Sequence, residues 1–162
     1  MNKLIVAAVA ALLLSPLCAF AQAPAALPPY GVGIGLDAAK KALSAAEAEA
    51  KKNNWPVAIA IVDSSAKLVA FSKMDNTQHA SVDIAIGKAV TANNLKRPTK
   101  ALQDGIAQGG VNLRILGQPG ITPLEGGVPI IVDGKIVGAI GVSGVMSNQD
   151  AEVAMAGAAA AK

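Results

Sequence analysis

The segment GGVPIIVDGKIVGAIGVSG, residues 126 to 144, constrains the fold of this chain more than any other. Two apolar runs flank Asp133-Gly134, a dipeptide suited to the positive φ angles of a tight turn, so the segment predicts a β-hairpin. Glycines at 138, 141 and 144 punctuate the second run. They follow a strand and precede a helix, as a phosphate-binding turn would, but the Walker lysine and the GxGxxG order are both missing. Close approach of a second backbone is the favoured reading. Gly31-Val32-Gly33-Ile34-Gly35 is weaker still as a phosphate motif, because no strand precedes it.

The other elements follow from periodicity. From Asp37 to Asn54, Ala39, Leu43, Ala46 and Ala50 recur at three- and four-residue steps among lysines and glutamates. That spacing predicts an amphipathic helix ended before Pro56. Val57 to Val62 and Leu68 to Phe71, joined by Asp63-Ser64-Ser65-Ala66, predict a second hairpin. A helix from about His79 to Asn94 presents Val82, Ala85, Ile86 and Ala89 as its apolar face. Pro98 opens a short helix through Ile106, and glycines with Pro119 and Pro123 make an irregular stretch to Gly127. Ser147, with Asp150 three residues on, resembles a capping box that opens a last alanine-rich helix. Helix, hairpin, helix, hairpin, helix is the order of an α+β domain with a largely antiparallel sheet.

Residues 1 to 21 read as a signal peptide: Lys3 supplies the charge, Leu4 to Leu14 the apolar run, and Ala19-Phe20-Ala21 the small-x-small cleavage site. The run is short for a membrane span, so no stable membrane anchor is expected. Leu17 before Cys18 argues against lipidation, and cleavage after Ala21 removes the single cysteine and with it thiol chemistry. Residues 22 to 30 read as a flexible proline- and alanine-rich leader, with one domain from 31 to 162. A periplasmic or secreted location follows.

Beyond residue 21 the aromatics are Tyr30, Trp55 and Phe71, so alanine, valine, isoleucine and glycine must build the core. With 14 basic against 11 acidic residues and no long block of one sign, the field is too weak to argue for nucleic acid. His79 is the one histidine, so any imidazole chemistry passes through it. An iron ligand or general base is one reading of it; a histidine bonded locally at a helix end is the plainer one. Lys88 and Arg97 are candidates for the carboxylates of a bound acid. The helical wheel nevertheless puts Lys88 on the solvated side, and Arg97 stands where a helix end is expected. Ser143 lies in GVSGV, not in a nucleophile elbow. Asp63, Asp75, Asp83, Glu125 and Asp133 form no metal signature and read as turn and surface residues. Binding is favoured over catalysis.

Taken together, AIAIVDSSAKLVAFSKMD (58 to 75), DIAIGKAVTA (83 to 92), RPT (97 to 99), the glycine-rich hairpin and SNQDAEVA (147 to 154) resemble the GlcG/HbpS family. These are haem-binding proteins, also seen as the C-terminal domain of PduO-type adenosyltransferases. The resemblance spans nearly the whole chain beyond the leader. It implies a profilin-like three-layer α/β/α arrangement with a central antiparallel sheet, homo-oligomers, and haem or, in some members, corrinoid as ligand. His79 falls where relatives often carry a histidine or small polar residue, which makes it the residue to test as an iron ligand, with Lys88 and Arg97 beside it as cofactor-binding candidates. Two departures stand out: Ser64-Ser65-Ala66 replaces a glycine-bearing turn, and Gly87 replaces a charged residue, leaving any polar pocket there without that side chain. Three functions are consistent with this pattern: a secreted haem-binding protein, an accessory protein or enzyme acting on a small organic acid or corrinoid, and an oligomeric scaffold.

Overall fold

The computed structural model describes residues 26–162; the expected signal peptide, Cys18 and the start of the leader lie outside them. The elements in chain order are α1 (Leu36–Lys52), β1 (Ala58–Asp63), β2 (Leu68–Lys73), α2 (Ser81–Asn94), α3 (Lys100–Gln108), a 3-10 helix (Gly110–Gly117), β3 (Gly127–Val132), β4 (Lys135–Ser143) and α4 (Ser147–Ala160). Both hairpins form, and they join through their β1 and β4 strands into one sheet of order β2-β1-β4-β3. Every neighbour is antiparallel. Asp133 (φ 49°) and Gly134 (φ 72°) make the tight turn between β3 and β4.

Alternation along β1 divides the core in two. Val57, Ile59 and Ile61 face one side with Ile140 and Val142 of β4, against the alanine stripe of α1 (Ala39, Ala42, Ala46, Ala50) and against Val153 and Ala154 of α4. Ala58, Ala60 and Val62 face the other side with Ala139, beneath Ala85, Ala89 and Ala92 of α2. The result is the expected three-layer α/β/α arrangement. On the α2 side the fully buried apolar residues are alanines apart from Val62, with Phe71, Ile86 and Val90 partly buried around them. A Cβ on Gly141 would run into the carbonyl oxygen of Ala85 and the amide of Ala89, so that glycine is where the helix backbone rests on the sheet.

Where β1 stops, residues 29–34 take its place beside β4. Ile136 donates its amide to Pro29 O (2.9 Å), Gly31 donates to Ile136 O (2.8 Å) and Ile34 to Val137 O (2.7 Å). Tyr30 is anchored further: its hydroxyl donates to Asn93 O at 2.9 Å, and the Lys96 ammonium stands 4.2 Å from its ring centroid. Pro29 and Tyr30, which composition assigns to the leader, are therefore docked on the domain.

Two boundaries differ from expectation. α2 begins at Ser81, so His79 lies in the turn before it and not within the helix. α4 is capped from Met146, whose amide donates to Gln149 Oε1 at 3.1 Å, so Ser147 is the first helical residue and not the cap.

Candidate functional site

α2 carries or borders all three candidate residues, and it spreads them out. Its 14 residues span about 20 Å at 1.5 Å per residue. His79 lies beyond one end, Arg97 beyond the other, and Lys88 is buried between them. Among the described residues the three do not line one cavity together.

His79 is exposed, and its imidazole engages in none of the hydrogen bonds or ion pairs among the described residues. The preceding side chain ties this turn to the opposite loop: Gln78 Nε2 donates to Gly144 O at 3.5 Å. Two residues further along that loop, Met146 is 68% exposed. The histidine end of α2 therefore presents a free imidazole, with an exposed thioether on the loop it touches.

Lys88 overturns the helical-wheel reading. Its side chain is 1% exposed, and its ammonium donates to Asp150 Oδ2 at 2.7 Å and to Val142 O at 2.8 Å. Asp150, read from sequence as a capping acid, is buried as well and accepts from the amide of Val145 with its other oxygen (3.2 Å). One ion pair thus ties α2 to the end of β4 and to the first turn of α4. Burial pulls the Lys88 ammonium below its ordinary pKa and pushes the Asp150 carboxyl above its own, each opposed by the hydrogen bond between them. Gly126 packs directly on the pair, since a Cβ there would stand 2.8 Å from Lys88 Nζ. Outside Gly126 lies an apolar cleft of about 400 Å³ walled by Pro98, Val128, Ala151 and Met155, with Lys100 and Glu125 also lining it.

Glu125 is not the plain surface acid expected. It is half-buried, with its amide donating to Gln103 Oε1 (2.9 Å) and its carboxylate accepting from Gln103 Nε2 (3.4 Å). Gly87 also has a packing reason: a Cβ there would collide with the Thr122 hydroxyl, in the loop that crosses α2 where Thr122 N donates to Thr91 Oγ1 at 2.8 Å. Arg97, past the end of α2, is exposed; its Nε donates to Leu95 O at 3.1 Å, and it borders a cavity of about 300 Å³.

This fold, a four-stranded antiparallel sheet between helices, defines an α+β domain. The family model of the haem-degrading HbpS-like proteins matches residues 34–159, and the chain belongs to that family. It is similar to GlcG of Escherichia coli K12, with 43% identity over 101 residues, 62% of this chain and 74% of GlcG. The crystal structure of HbpS aligns over 80% of this chain and 90% of its own, with 34% identity and a TM-score of 0.71. The PduOC–haem complex aligns over 80% and 95%, with 27% identity and a TM-score of 0.73.

Proposed function

We propose that this protein binds haem, with His79 as the iron ligand, in the periplasm or outside the cell. The observation that carries the reading is the likeness to the PduOC–haem complex over four-fifths of the chain. Membership of the HbpS-like family supports it. His79 fits the role because its ring nitrogens are neither buried nor engaged among the described residues, and imidazole is a common axial ligand to haem iron. Haem would supply the iron; the chain supplies the nitrogen that holds it and the apolar surface that shelters the ring. The location rests on the signal-peptide pattern of residues 1 to 21.

Shelter is where assembly enters. The apolar cleft of about 400 Å³ is at the small end of ligand sites and is not at the His79 turn. Val111 (70% exposed), Leu116 (62%) and Met146 (68%) offer further apolar surface, and a second copy laid against such residues would build a deeper pocket.

The test is an absorption titration of the untagged mature protein with hemin, beside His79→Ala. Saturable growth of a sharp Soret band that is lost in the variant is the expected result. An identical titration in the variant would remove His79 from the mechanism, and broad, non-saturating absorbance in both would remove haem.

A further inference from the structure

We propose that Arg97 and Arg114 form a binding pocket for the carboxylate of a small acid with an apolar body. The two side chains come from different elements, Arg97 from the turn after α2 and Arg114 from the 3-10 helix, yet they line one cavity of about 300 Å³. Neither guanidinium takes part in an ion pair among the described residues. No acid lines the cavity. Of the acids on the neighbouring elements, Asp104 is paired with Lys100 at 2.9 Å, and Glu125, bonded to Gln103, lines the separate cleft beside Gly126. Both arginines are exposed to solvent, and an anion seated in the cavity meets donors from two elements at once.

The geometry also specifies the anion. The bond from Arg97 Nε to Leu95 O (3.1 Å) fixes the root of that guanidinium and leaves its terminal nitrogens as donors. Asn112 lines the same cavity and adds an amide donor. Leu95, Ala101, Leu102, Gly105 and Ile115 form the rest of the wall, whose apolar part a phosphate or sulfate would leave unused and a hydrocarbon chain would cover. A carboxylate accepts planar, bidentate bonds from arginine. The pocket lies at the opposite end of α2 from His79, so the inference rests on this cavity and not on the haem reading.

One carboxylate chemistry has two sources here, a free organic acid or the propionate of a bound haem, and the experiment separates them. Octanoate is titrated into isotope-labelled protein and followed by amide shifts, with octanol as the uncharged control. Arg97→Ala, Arg114→Ala and the corresponding lysine variants are run in parallel, and folding is checked by thermal melts. For a free acid, octanoate moves the amides of Leu95, Leu102, Asn112 and Ile115, and octanol does not. Each alanine variant then weakens binding about tenfold, as loss of a charge-assisted bond does, lysine restores part of it, and His79→Ala leaves it unchanged. If octanoate is silent but hemin binds more weakly to both arginine variants, and hemin dimethyl ester binds all forms equally weakly, the carboxylate is a haem propionate and the small-acid proposal is overturned. Octanol binding as well as octanoate, or arginine variants that change neither octanoate nor hemin binding, overturns the proposal.

Discussion

Lys88 occupies the slot that completes the stripe Ala85, Lys88, Ala89, Ala92, the i, i+3, i+4, i+7 positions that α2 lays on the sheet. The residue that looks most soluble on this helix is thereby carried inside. Desolvating two charges costs about what their attraction returns, but removing one partner strands the other, at about 3–5 kcal/mol. Lys88→Met is therefore expected to destabilise the protein by about that amount at neutral pH. The loss should shrink as the solution is acidified. Asp150 has a raised pKa in the folded state, so the folded state binds its proton more tightly than the unfolded chain. Stability from this group is then fully present below the unfolded value and lost as pH rises through the folded one. Urea denaturation of the variant across pH 4 to 8 checks the sign, and stability that increased with pH would refute the assignment. The signal for this burial was present in the sequence. Alanine marks a closely packed helix face better than larger aliphatics do, and the alanines at 85, 89 and 92 bracket position 88. Val82 and Ile86, only half-buried at the edge of that face, turn the wheel away from it. Asp150 was harder to read, because a short acid near a helix start serves equally well as a cap.

At the scale of elements, the contact between α2 and β4 is set by Gly141. A methyl group there meets backbone atoms of Ala85 and Ala89 and not the tip of a movable side chain, so relief requires the whole helix to shift. Gly141→Ala is expected to cost about 1–3 kcal/mol or more, read as a lowered melting temperature, whereas alanine at Gly117, where nothing lies within 4 Å of a Cβ, should leave the melt within the scatter of surface substitutions. Equal effects at the two positions would sink the close-approach account. The hairpin and its glycines were legible because turn chemistry and strand spacing are local. The 3-10 helix Gly110–Gly117 was not, since glycines and prolines signal a break without specifying the short helix inside it. The start of α4 was displaced by one residue because Gln149 and Asp150 both suit the third helical position, and Asp150 turns to Lys88 and the Val145 amide instead.

For the whole molecule, the order of elements and the family resemblance made the three layers legible, and the family match bears them out. The candidate site was less so. Spacing along a helix says which residues share a face, and it cannot say that His79 and Arg97 would finish at opposite ends of α2. If assembly builds the haem pocket, light scattering of the mature protein should report a multimer, and Leu116→Glu, a charge on a side chain 62% exposed, should shift it toward monomer and weaken hemin binding together. A monomeric wild-type protein at working concentration would end that reading.

The two faces of the sheet are unequal, isoleucine and valine toward α1 and α4, mostly alanine and glycine toward α2. That inequality sets where the sequence is free to drift. One aliphatic can replace another on the bulky side, because a core holding its volume tolerates changes of shape. On the other side the alanines and Gly141 already lie at close backbone contact, so any enlargement of them is resisted. Descendants of this chain would vary on one side of the sheet and stay almost fixed on the other, with no ligand needed to keep them so.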